Sequence, residues 1–164
     1  MVKILVDSSS DYEPEEIKEK GFEFVPISIT IGDTDYIDGV SLEKDEFYEI
    51  LKGTEDFPKT SQPSPQAFLD IFKDAKEKQD TIFCILLSSE LSGTCQSAQL
   101  AKNMMDYESI YIIDSLSATY MIKILADYAY ELVQKNTPAE EILQKIEALK
   151  PRVTLFAGLD TLEY

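Results

Sequence analysis

Short apolar runs alternate along this chain with amphipathic stretches of helix length, and that rhythm predicts βα units around a largely parallel sheet. Val2 to Val6 reads as the first strand, and Glu15 to Lys20 as a short helix that Gly21 closes. Phe22 to Val25 and Ile27 to Ile31 read as extended segments separated by Pro26. Gly32-Asp33-Thr34-Asp35 then turns the chain, leaving Tyr36 to Gly39 as a hairpin return or a loop. Phe47, Ile50 and Leu51 fall at helical spacing within Glu43 to Leu51, and Gly53-Thr54-Glu55-Asp56 ends that segment. Ser64 as N-cap and Pro65 at the first helical position start a helix with Phe68, Ile71, Phe72 and Ala75 on one face, a core-packing stripe. Thr81 to Leu87 has no polar residue after its first position, which predicts a central strand buried on both faces.

A helix over Gly93 to Met105, a strand over Ile110 to Ile113 and a long helix from Ala118 to Gln134 continue the alternation. Thr137-Pro138-Ala139-Glu140 matches a capping box ahead of a helix over Glu140 to Leu149, and Val153 to Ala157 reads as a last strand. No repeat, low-complexity segment or flexible linker divides the chain, so one domain over residues 1–164 is expected. The predicted class is α/β in three layers, α/β/α.

Polar residues collect where the strands end. Asp7, Ser8, Ser88, Ser89, Ser92 and Asp114 gather at one carboxyl rim if those strands run parallel, and that rim is where open parallel sheets bind ligands. Two hydroxyl clusters are each followed at once by a helix start: Thr60-Ser61-Gln62-Pro63-Ser64-Pro65 and Ser88-Ser89-Glu90-Leu91-Ser92-Gly93-Thr94. Helix starts carry N–H groups without an internal partner, and hydroxyls beside them complete a neutral cage suited to a carboxylate or phosphate. Ser64 and Ser92 are equally good as simple N-caps, and Ser115 as a cap for the helix after Asp114. Thr60 and Ser61, read as loop residues, reach the rim only if their loop folds over it.

Charge restricts the partners. The 164 residues carry 31 acids against 15 basic residues, a net charge of -16, which repels nucleic acid phosphates and anionic lipid surfaces. An anionic ligand must then be held by local dipoles and hydroxyls in a sheltered site. No apolar run approaches the roughly 18 to 20 residues that span a bilayer, so no membrane insertion is expected. Val2 to Val6 is too short for a signal-peptide core, which makes a cytoplasmic location the expectation.

Absent residues prune the chemistry further. With no histidine there is no Ser-His triad, no phosphohistidine relay and no His-ligated zinc. Cys84 and Cys95 lack CxxC spacing and are expected to be free thiols. A serine nucleophile would have only Asp, Glu or Lys59 as base, which supports hydrolysis weakly. Asp7 and Asp11 could hold Mg²⁺, but neither GxxxxGK[ST] nor GxGxxG is present, and both aspartates suit the turn after a strand. No cofactor, metal or catalytic residue is assigned. A binding site of hydroxyls and N–H groups is what these residues support.

Val6-Asp7-Ser8-Ser9-Ser10-Asp11, Val25-Pro26-Ile27-Ser28-Ile29, Asp38-Gly39, Lys59 to Pro65, Leu87 to Ala98 and Ile113-Asp114-Ser115 resemble, in order and spacing, the DegV family of bacterial fatty-acid-binding proteins. The resemblance implies binding of a long-chain fatty acid for presentation to the catalytic subunit of a fatty acid kinase, this chain being a non-catalytic lipid-binding protein. It also implies that Thr60 and Ser92 hold the carboxylate, with Ser61, Gly93 and Thr94 as secondary binding residues. Cys95 stands where relatives often carry an aromatic.

Family members add a second α/β domain that buries the acyl chain and supplies an Arg and a His. Leu159 to Tyr164 looks like the approach to that domain, so the chain reads as a DegV-like amino-terminal domain with the second domain missing. The alternative is an enzyme or phosphotransfer-related protein acting on a small phosphorylated or carbonyl substrate, drawn from the Asp and Ser rim and the family's distant kinship to dihydroxyacetone kinase. Those relatives use a histidine. Turnover with Mg²⁺ and ATP by this chain alone would favour that alternative.

Overall fold

The computed structural model describes residues 1–156 and Gly158. Four parallel strands form the main sheet, in the order β2-β1-β6-β7, where β1 is Val2–Asp7, β2 Glu23–Val25, β6 Thr81–Leu86 and β7 Ile110–Asp114. Strand β6, read as a central strand buried on both faces, and β1 are its centre, with Ile4 opposite Phe83 and Leu5 opposite Cys84. A sheet covered on both faces needs apolar residues in both directions, and these strands supply them. Ile4, Val6, Phe83, Ile85 and Ile113 pack on one face, against α5 (Tyr120–Gln134) and α6 (Ala139–Leu149). Leu5, Ile82, Cys84, Leu86 and Ile110 pack on the other, against α3 (Pro65–Lys78) and α4 (Thr94–Asn103). The three-layer α/β/α reading holds. Phe68 and Phe72 are fully buried, as their spacing predicts, and Ile71 packs at the margin of the same cluster.

Helix α1 covers Pro14–Lys20, and Gly21 closes it in the left-handed region at φ 66. A reciprocal capping box opens it, between Glu13 and Glu16. Its partner Lys123 on α5 is mostly buried, places both Glu16 oxygens within 2.7 Å, and lies over the rings of Tyr12 and Tyr120. This ties α1 to α5.

A second, smaller sheet stands beside the first. Strands β3 (Ser28–Ile31) and β4 (Thr34–Ile37) form a hairpin, one of the two readings left open, with Thr34 and Asp35 in the strand and not in the turn, and β5 (Lys59–Ser61) pairs antiparallel with β3. Helix α2 (Lys44–Gly53) packs Phe47 and Ile50 on Ile29, Ile31 and Leu42. Thr60 and Ser61 are therefore strand residues and not loop residues. Lys-Thr-Ser has no apolar alternation to announce a strand; its extended form comes from pairing Thr60 with Ile29, a tertiary contact.

Two other expectations fail. Thr137 and Glu140 make no capping box: α6 begins after Pro138, whose backbone is extended and whose ring offers no side-chain acceptor. Val153 to Phe156 is not a strand; it leaves a 3-10 turn at Lys150–Arg152 without a neighbouring strand, and Phe156 is 90% exposed. Ala157 of that segment and all of Leu159 to Tyr164 lie outside the described residues. No helix among the described residues is long and apolar enough to cross a membrane.

At α3 the predicted start is present: Ser64 accepts from the Ala67 N–H and Pro65 follows. Ser64→Ala is expected to lower stability by about 1 kcal/mol, read from urea denaturation, without altering the site described next.

Candidate functional site

Parallel β1, β6 and β7 bring their carboxyl ends together, and the polar residues there are tied to one another. Asp7 is fully buried; its carboxylate accepts from the Leu87 N–H at 2.7 Å and from the Ser9 N–H at 2.9 Å, and the Ser9 hydroxyl donates to it as well. Asp114 accepts from the Ser89 hydroxyl at 2.5 Å, from the Ser89 N–H and from the Leu116 N–H. Two carboxylates thus hold the start of the Leu87-to-Gly93 segment, Asp7 at Leu87 and Asp114 at Ser89. Ser88 carries the turn between them, since its carbonyl accepts from the N–H groups of Leu91 and Ser92. Ser115 does not cap α5; its hydroxyl is engaged with the backbone of Ser117. With the oxygens of Asp7 committed to N–H donors, and Asp11 in the left-handed region at the end of the 3-10 turn Ser8–Ser10, these aspartates serve the turn.

Thr60, Ser61, Ser92 and Gly93 line one cavity of about 480 Å³, together with Ile27, Gln62, Leu87 and Leu91. The two hydroxyl clusters do meet. Their meeting depends on β5: paired to β3, it carries Thr60 and Ser61 to the rim where α4 begins. Ser92 is half-buried, and its Oγ lies 2.9 Å from Thr94 Oγ1 and accepts weakly from the Thr94 N–H. Thr94 itself is fully buried and does not line the cavity; it holds the Ser92 hydroxyl in place. Gly93, not Ser92, is the N-cap of α4. The first N–H groups of the helix point toward this end with no partner inside it, which favours an anion. Ser64 stays a cap and takes no part in the lining.

A larger cavity of about 710 Å³ lies between α1, α2 and β3. Its lining includes Asp11, Glu13, Glu15, Asp38, Glu43 and Asp45, with Lys44 already paired to Glu13. Such a lining opposes a carboxylate or phosphate, whereas no acidic residue lines the smaller cavity.

Burial pushes the Asp7 carboxyl above its usual 3.8, outweighing the hydrogen bonds from Leu87 and Ser9 that work the other way, and Asp38 adds to the rise. Partial burial also acts to raise Asp114, but the hydrogen bonds from Ser89 and Leu116, with Lys150 nearby, leave it below the usual range. Burial pushes the Cys95 thiol up to about 12, so it stays protonated, donating to the Leu87 carbonyl. For Asp7 the linkage is that of an acid whose pKa is raised by folding: its contribution to stability is present below the unfolded value and is lost as pH rises through the folded one. The stability of the wild type relative to Asp7→Asn is therefore expected to decline from about pH 3.8 upward. Thermal melts across the acid range check this, and a difference that does not vary with pH contradicts it.

Four lining residues were not singled out as binding residues by the sequence: Ile27, Gln62, Leu87 and Leu91.

Compared with known proteins, the whole of residues 1–164 matches the sequence profile described as "Uncharacterised protein, DegV family". A DegV domain-containing protein of Caldanaerobacter subterraneus is 35% identical over 163 residues, covering 99% of this chain and 58% of that protein. Among solved structures, one reporting fatty acid binding of a DegV family protein from Thermus thermophilus superposes with a TM-score of 0.84 at 27% identity. It covers 92% of this chain and 53% of that one. A stearic acid-binding protein from Eubacterium ventriosum gives a TM-score of 0.84 at 30% identity, over 90% of this chain and 53% of its own. The chain spans a little over half the length of the relatives it matches.

Proposed function

The chain belongs to the DegV family, and from that premise we propose that it binds a long-chain fatty acid with the carboxylate between Thr60 and Ser92. The observation that carries this reading is that both residues line one cavity, at the start of α4 and at the carboxyl edge of the sheet. A carboxylate accepts hydrogen bonds at both oxygens, and neutral donors with a helix N-terminus suit it where the net charge of -16 supplies no attraction. Ser61 and Gly93 complete the lining, and Thr94 orients Ser92. Ile27, Leu87 and Leu91 offer apolar contact to the first carbons of the chain.

The relatives known as fatty-acid-binding structures support the ligand class, since those proteins share this fold at 27% and 30% identity. The protein acts as a carrier, presenting the carboxylate at the open rim to a fatty acid kinase in the cytoplasm. The kinase would join the carboxylate oxygen to the γ-phosphorus of ATP and release ADP. Native mass spectrometry of delipidated protein with palmitate tests the binding: a one-to-one acyl adduct is expected, and its absence overturns the reading. Adding a kinase catalytic subunit with Mg²⁺-ATP and hydroxylamine tests the presentation, because an acyl phosphate is trapped as the hydroxamate.

A further inference from the structure

We propose that Gln62 is a third donor to the ligand's carboxylate, held over the start of α4 by the bare Cα of Gly93. The proposal rests on the fatty acid reading above. A carboxylate offers about four lone-pair sites, and the hydroxyls of Thr60 and Ser92 provide two donors. Ser92 Oγ also shares a hydrogen bond with Thr94 Oγ1. The anion therefore has acceptor capacity to spare. Gln62 lines the same cavity, and among the described residues no hydrogen bond takes up its carboxamide.

Its position is set by close contact. A Cβ placed on Gly93 would stand 2.5 Å from both Cδ and Nε2 of Gln62, and would collide with Oε1 as well, so the carboxamide plane lies directly on the glycine backbone. The φ of Gly93 is -77, an angle open to any residue, so backbone strain does not demand glycine here. Space for Gln62 does. The chain direction agrees: β5 ends at Ser61, and the buried Pro63 fixes the path just beyond. Thr60, Ser61 and Gln62 follow one another along the cavity lining. A neutral amide donor adds binding without a cation, in a chain whose lone arginine, Arg152, sits in the exposed 3-10 turn after α6.

The test compares palmitate with hexadecanol, which keeps the tail and lacks the carboxylate, by displacement of a fluorescent fatty acid probe from the purified, delipidated full-length chain. Gln62→Met keeps side-chain bulk and removes the donors; it is expected to weaken palmitate about tenfold or more while leaving hexadecanol within about twofold. Gln62→Glu sets one carboxylate against another and should weaken palmitate further. Equal losses for both ligands in Gln62→Met would mean that the residue only packs, and unchanged palmitate affinity would mean that it does neither; each overturns the proposal. Failure of the fatty acid reading itself has a different signature: palmitate does not bind the wild type, or binds Thr60→Val as tightly as the wild type.

Discussion

Thr60→Val combined with Ser92→Ala is expected to weaken palmitate binding by about a hundredfold or more. Hydrogen bonds to a charged group contribute about 1.5 to 3 kcal/mol each, and each factor of ten in affinity is about 1.4 kcal/mol. Both substitutions spare the fold. Thr60 is an exposed residue of an edge strand, where valine is at least as well suited as threonine. Ser92→Ala removes a long contact to the Thr94 N–H, worth about 1 kcal/mol or less at a helix start. Affinity should thus collapse while the melting temperature moves by a few degrees. Ser64→Ala, at the neighbouring hydroxyl, should leave affinity unchanged, because Ser64 caps α3 and does not line the cavity. A double variant that still binds like the wild type would remove Thr60 and Ser92 from the headgroup site.

Phe83→Ala is expected to lower folding stability by about 3 to 5 kcal/mol, a large share of the roughly 5 to 15 kcal/mol that holds a domain of this size. Phe83 is fully buried at the middle of β6, between Ile4 of β1 and Tyr111 of β7, and stacks on the Tyr111 ring at 4.9 Å. Removing the ring leaves a cavity against α5 and α6 that neighbouring strands, held by their ladders, cannot close. Urea denaturation should show a lower midpoint with an unchanged slope. A loss below about 1 kcal/mol would mean that the sheet can repack around the gap.

The main sheet was legible because its signal is local. Thr81 to Leu87 is apolar on both sides after its first position, and only a strand covered by helices on both faces uses such a run; beside it, β1 turns Ile4 and Val6 to one face and Leu5 to the other. The polar strand ends followed from the same logic, and Asp7, Ser89 and Asp114 do share one rim. What escaped was set by distant pairing. Lys59-Thr60-Ser61 is extended because β3 is beside it, and no periodicity within three polar residues could announce that. Val153 to Phe156 shows the reverse: an apolar segment with strand propensity and no strand to join. Thr137 failed as a cap because Pro138 takes that position.

The site was half legible. Thr60 and Ser92 came from a resemblance of ordered motifs, and their common cavity depends on β5 folding back, which the residues alone did not establish. Gly93 looked like a source of backbone N–H. The structure adds a steric reason for glycine, the carboxamide of Gln62, which lies far away in sequence and close in space.

The central claim is that one fatty acid carboxylate is held between Thr60 and Ser92. A crystal structure of the full-length chain with palmitate tests it most directly. The account predicts acyl density whose carboxylate oxygens lie about 2.5 to 3.0 Å from Thr60 Oγ1 and Ser92 Oγ, beside the start of α4. Palmitate with its carboxylate seated elsewhere, such as the acid-lined cavity between α1 and α2, would contradict it.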